Sequence, residues 1–178
     1  MRLITCRRIL ISLIFFFASV WLVYRWVFPF GFSHYCDSAL MAALTNYAME
    51  HQKKYPSGGD TPTASLCRLF PEYVTPNLIA GKAGLSLAAN DTLRHRGLFT
   101  PDQCGWYYVD GLSMDDDPIL ALFWDKYHLG HNGQILNGGG IKVFFVNGTS
   151  KIIAETEWDD FLLEQRNLYD QIRKREQK

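Results

Sequence analysis

The chain has 178 residues, with 18 basic and 18 acidic side chains, and 15% of it is aromatic. That aromatic content, with 48% hydrophobic residues, excludes an intrinsically disordered chain. The charge is unevenly placed: Arg2, Arg7, Arg8 and Arg25 meet no acid before Gly31, so the remainder is net acidic and a nucleic-acid partner is excluded.

The first element is an apolar run from Ile9 to Tyr24. A helix that crosses a bilayer needs about 20 mostly apolar residues. The run reaches that length if Arg25 snorkels and Trp26-Val27-Phe28 lie at the interface, which places the membrane contact on residues 9–28. Trp21, Tyr24 and Trp26 form an aromatic belt at the exit face, and the arginines before the run hold the N-terminus in the cytoplasm. A cleaved signal peptide shares the basic start and apolar centre. No small-x-small cleavage site lies between Pro29 and Cys36, so a retained signal anchor is preferred; either reading exports the rest. The chain divides into a cytoplasmic stub and anchor, residues 1–32, and one exported domain, residues 33–178.

Asp37 or Ser38 caps a helix expected to run to about Lys54, with Leu40, Leu44, Tyr47, Ala48 and His51 on one stripe. Leu40, Leu44 and Tyr47 serve equally for the domain's own sheet or for a neighbouring subunit, and are the candidate interaction residues. A shorter helix is expected over Thr63–Tyr73, although Pro71 falls inside it. Residues 77–100 read as a loop with a helical turn. Strands follow at Trp106–Val109, Ile119–Trp124, Ile141–Val146 and Ser150–Ala154, the last two joined by the hairpin signal Asn147-Gly148. Trp106, Tyr108, Phe123, Phe144 and Trp158 are expected in the core. Thr156-Glu157-Trp158-Asp159 resembles a capping box and opens a final helix with Trp158, Phe161, Leu162, Leu168, Tyr169 and Ile172 on one face. The fold class is α+β: an N-terminal transmembrane helix, an amphipathic helix packed on a small antiparallel sheet, and a C-terminal helix.

Cys36, Cys67 and Cys104 fall in the exported part, where disulfides persist. An odd count leaves one thiol free or paired with another chain. Cys67–Cys104 is the preferred pair because both lie inside the folded domain, with two buried thiols as the alternative. The metal candidates are Asp125, His128 and His131, joined by Asp115, Asp116 and Asp117. A His-x-x-His spacing sets two imidazoles on one side of a turn, as zinc requires, and clustered carboxylates suit calcium. The plain reading of Asp115-Asp116-Asp117 is an acidic turn before Pro118. No nucleophile–base set is assignable from spacing, and Gly138-Gly139-Gly140 lacks the Lys-Ser/Thr of a phosphate loop.

Ala43-Leu44-Thr45-Asn46-Tyr47-Ala48 running into Lys54-Tyr55-Pro56, then Trp106-Tyr107-Tyr108-Val109-Asp110-Gly111, then His131 and Val143-Phe144-Phe145-Val146-Asn147-Gly148, resemble the type IV pilin and type II secretion pseudopilin family. Within it they resemble the subgroup with a His followed by an Asp-Gly hairpin, and the resemblance covers most of residues 36–158. The chain departs from the family at its start. No prepilin peptidase site or glutamate precedes Ile9, Gly31-Phe32 lies after the apolar run, and Asn147 stands where the subgroup has Asp. The resemblance implies a pilin-like ectodomain and a bacterial inner-membrane location, single-pass, with a periplasmic C-terminal domain. It further implies a non-enzymatic structural or interaction role among envelope or secretion proteins. It also raises calcium in a late loop. The alternative is a stand-alone exported ligand- or metal-binding domain.

Overall fold

No glycine or proline interrupts the chain from Arg2 to Phe28, and this stretch forms one helix, α1 (Arg2–Val27), in the computed structural model, which describes residues 2–29, 31, 37–83, 95 and 97–176. The boundary expected between residues 32 and 33, and Cys36, lie outside the described residues. Pro29 disfavours a helical conformation for Phe28 and ends α1. The turn closes through the Gly31 N–H on the Phe28 carbonyl at 3.0 Å, with Gly31 at φ 81. Arg8–Val27, 20 residues, is long and apolar enough to cross a membrane. Its side chains from Arg8 to Trp26 are all exposed, so this stretch of α1 contributes nothing to the core of the domain.

The amphipathic helix α2 (Asp37–Glu50) buries Leu40, Met41, Ala43, Leu44 and Ala48. It stops at Glu50, short of the expected Lys54. Gln52 and Lys53 take positive φ, and the Lys53 N–H returns to the Ala48 carbonyl at 2.8 Å, the long-range bond of a Schellman-type stop. The chain then pairs with residues 112–114: the Tyr55 N–H donates to the Leu112 carbonyl and the Met114 N–H to the Lys53 carbonyl. Thr61 caps α3 (Pro62–Leu66) by accepting from the Ala64 N–H at 3.1 Å, and a tighter turn over Cys67–Leu69 follows. The expected extension to Tyr73 fails because Phe70, forced out of the helical region by Pro71, is extended. Helix α4 (Pro76–Ala80) supplies a helical turn at the start of the stretch read as residues 77–100, of which 84–94 and 96 lie outside the described residues.

Four antiparallel strands, β1 (Trp106–Tyr108), β2 (Ala121–Asp125), β3 (Ile141–Phe145) and β4 (Ser150–Ile153), pair in chain order. β2 starts two residues later than expected because Asp117 takes the preceding N–H groups: its side chain accepts from Ile119 and its carbonyl from Leu120. The Asn147-Gly148 hairpin forms, with Gly148 at φ 80, its N–H on the Phe145 carbonyl, and the Phe145 N–H on the Thr149 carbonyl. This is a three-residue loop with a glycine bulge, and it sets the β3–β4 register. The last helix, α5 (Trp158–Glu176), follows a tight turn over Glu155–Glu157 whose N-cap position is Ala154, with no side-chain cap, so the expected box at Thr156 does not open it.

Both faces of β2 are covered: Ala121, Leu122, Phe123 and Asp125 are all buried, with a register shift between Ala121 and Phe123. Trp106, Tyr108, Phe123 and Phe144 join Leu40, Leu44 and Ala48 of α2 and Leu66, Leu69 and Ile79 in one core cluster. Phe123 and Phe144, cross-strand partners, stack with centroids 4.8 Å apart, and Trp106 meets Phe123 edge-on at 5.7 Å. A second cluster, Ala121, Ile141, Val143, Ile153 and Phe161, is covered by half-buried Trp158 and Leu162 of α5. Tyr55 and Tyr108 bury their rings and donate their hydroxyls to the Val146 and Pro56 carbonyls.

Candidate functional site

Asp37 opens α2 directly after the connection from α1, and it is 2% exposed. Desolvation on that scale would force the carboxyl neutral unless cations faced it. Two lysines do, and a histidine ring joins them by a hydrogen bond. Lys82 Nζ lies 3.4 Å from Oδ2, Lys142 Nζ lies 3.2 Å from the same oxygen, and His131 Nδ1 lies 3.2 Å from Oδ1. Burial pushes the Asp37 carboxyl up, but Lys82 and Lys142, with the His131 hydrogen bond, hold it below the usual carboxylate range. Each partner comes from a different element: Lys82 from the turn after α4, Lys142 from β3, His131 from the loop after β2.

Lys82 is the hinge of this cluster. It is 1% exposed, its ammonium sits 5.7 Å from the centroid of the Trp106 ring, and it donates to the Leu129 carbonyl at 2.9 Å. Asp125, the last residue of β2, is buried beside it. Its Oδ1 accepts from the Tyr127 N–H at 2.7 Å and the Leu129 N–H at 3.3 Å, while Oδ2 is buried with no hydrogen-bond partner. Desolvation raises the Asp125 carboxyl above its ordinary value, against the opposing pull of Lys82 and of the two N–H groups. The loop from Asp125 to Ile135 is therefore held at three points: Asp125 grips its first turn, Lys82 its middle and His131 its far side.

That loop meets the end of the apolar helix. Leu129 and Ile135 form an isolated antiparallel bridge, closed by the Gly130 N–H on the Gln134 carbonyl at 2.7 Å, and the Ile135 N–H donates to the Val27 carbonyl at 2.8 Å. The cluster thus connects the head of α2, the sheet and the end of α1. Chemically it is a set of compensated charges that fixes geometry; it offers no nucleophile–base pair. Comparison with protein families, curated proteins and solved structures returned no match for this chain.

Of the six metal candidates, only Asp125 and His131 belong to the cluster: Asp125 accepts from backbone N–H groups and His131 meets Asp37. His128 is exposed at φ 56. Asp115 pairs with Lys53 at 2.8 Å, Asp116 accepts from the Ser113 N–H at 2.6 Å, and Asp117 accepts from the Ile119 N–H. The acidic stretch is a self-capped turn, and among the described residues no group of three or more His, Cys, Asp or Glu side chains is placed to hold a metal ion. The six metal candidates are not gathered because each carboxylate is aimed at a local backbone or lysine partner.

Cys67 and Cys104 are buried free thiols, not the preferred disulfide. Cys67 Sγ accepts from the Phe99 N–H at 3.3 Å and Cys104 Sγ donates to the Trp106 carbonyl at 3.5 Å, so the sulfurs are engaged with separate backbone groups. Burial pushes the Cys67 thiol up to about 11 and raises that of Cys104, which suppresses the reactive thiolate in both. Leu40 and Leu44, two of the three interaction candidates, are 0% exposed and belong to the domain's own core. Tyr47 is half-buried and stacks on His51 at 3.8 Å beside Tyr73. The sequence reading did not single out Lys82 or Lys142, and it took Asp37 only as a cap. The available signal was a lone lysine inside the apolar stretch Leu78-Ile79-Ala80-Gly81-Lys82-Ala83.

Proposed function

We propose that the protein is a non-enzymatic, single-pass membrane-anchored structural or interaction protein of the bacterial envelope, pilin- or pseudopilin-like in its domain. Its N-terminus would be cytoplasmic and its folded part periplasmic. The observation that carries this reading is α1: a 20-residue apolar span, exposed along its length, joined to a folded α+β domain. The order of a membrane helix, a second helix buried against an antiparallel meander and a late Asn-Gly hairpin supports the pseudopilin-like form. The departures at the N-terminus make it an ordinary signal anchor in place of a processed pilin helix. The domain's role is to present its surface to envelope or secretion-system proteins at a fixed height above the membrane.

The test is in-cell crosslinking of the tagged full-length protein, with extraction in mild detergent and mass spectrometry of the captured species. Pseudopilins or secretion-platform proteins among them are the expected outcome. Capture of the protein alone, together with recovery in the soluble fraction, would overturn the reading.

A further inference from the structure

The last carbonyls of a helix have no partner within it, and at the edge of a bilayer such groups need one. At the end of α1 a partner comes from the folded domain: the Ile135 N–H on the Val27 carbonyl, 2.8 Å. Val27 is also the last residue of the apolar span. Wherever the membrane surface lies at that end, the Ile135 backbone is within hydrogen-bond reach of the helix that crosses it. Three aromatic side chains mark that level from the other side: Trp21, Tyr24 and Trp26 are 61%, 41% and 75% exposed within the final turns of α1, and amphipathic rings favour the headgroup region.

The loop has the chemistry of that region. Ile135 keeps 45% of its surface exposed and Tyr127 39%, and exposed His128, His131 and Asn132 stand between them. The loop is pinned at Leu129 by Lys82, at its start by Asp125 and at His131 by Asp37. These bonds fix the loop to the folded domain, and the Ile135–Val27 hydrogen bond joins it to the end of α1. We infer that the 127–135 loop is a second membrane contact, resting on the leaflet where α1 emerges, with Ile135 inserted among lipid headgroups. The contact sets the tilt of the domain on the bilayer, and it rests on the reading of α1 as a membrane span.

Three full-length preparations test it, each carrying a photoreactive diazirine amino acid at one position, reconstituted in phosphatidylcholine vesicles. Position 16 lies within the span. Position 135 is the loop. Position 49 is the comparison site, because Met49 is 70% exposed and lies about 18 Å along α2 from Asp37 at the ordinary helical rise. After irradiation, lipid adducts read by mass spectrometry should form at 16 and at 135, with the yield at 135 at least about tenfold above that at 49. Adducts at 16 with 135 no higher than 49 would overturn the loop contact and leave the anchor standing. Absence of adducts at 16 would overturn the anchor itself, and the loop contact with it.

Discussion

Phe123 and Lys82 are both hidden from solvent, one 0% and the other 1% exposed, but they hold the chain by different means. Phe123 gains from every apolar neighbour it touches, and its loss leaves a void that the surroundings partly fill. Lys82 gains nothing from burial itself. It is tolerable there only because Asp37, Asp125 and the Leu129 carbonyl face it, so removing it strands charge in a dry site. The apolar core determines that the domain folds. The charge cluster determines which loop ends up against α1.

The largest expected effect is at the cluster. Lys82→Ala should cost about 4 kcal/mol, read as the shift in chemical-denaturation midpoint of the full-length protein in detergent. Asp37→Asn combined with Lys82→Ala should recover at least half of that loss, since the pair then goes together. A double variant as unstable as the single one would mean that packing around the Lys82 stem, not charge, dominates. In the apolar core, Leu44→Ala should cost about 3 kcal/mol by the same measure. Trp106→Phe should cost about 1 kcal/mol, because Nε1–H donates to the buried Leu78 carbonyl at 2.6 Å and the variant leaves that oxygen only the shared Gly81 N–H. The exposed Lys53–Asp115 pair should be the least sensitive, with Lys53→Ala changing stability by less than about 1 kcal/mol.

The two buried carboxylates should also separate by pH. Asp37 is held below its unfolded value of 3.8, so its contribution is present above that value and is lost as pH falls through the lower folded value. Asp125 is raised above 3.8, so the folded state binds its proton more tightly, and stability falls as pH rises from 3.8 through the raised value. Stability profiles of Asp37→Asn and Asp125→Asn should therefore flatten opposite limbs, the first below 3.8 and the second above it. If both variants flattened the same limb, the cluster would not divide the charge in this way.

Much of the fold was legible because it is local. The apolar run of α1, the short apolar runs around Phe123 and Phe144, the Asn147-Gly148 hairpin and the apolar face of α5 each arise from spacings of a few residues. Errors fell at ends: α2 stops at Glu50 as the chain turns to pair with the distant residues 112–114, and β2 starts late because nearby Asp117 captures two N–H groups. The aliphatic stripe of α2 was visible, but whether it faced the domain's sheet or a neighbour was not. The structure places Leu40 and Leu44 inside the domain.

The sequence by itself determined the exposed apolar helix, the order of the strands and the amphipathic faces, because hydrophobic periodicity and turn chemistry act over neighbouring residues. Only the tertiary structure decided the charge cluster and its contact with α1. Asp37 meets Lys82 across 45 positions and His131 across 94, and nothing in any one segment marks those partners. A buried ion is stable only where folding brings several elements together around it, so its meaning is set by the assembled interior and not by the residues beside it in the chain.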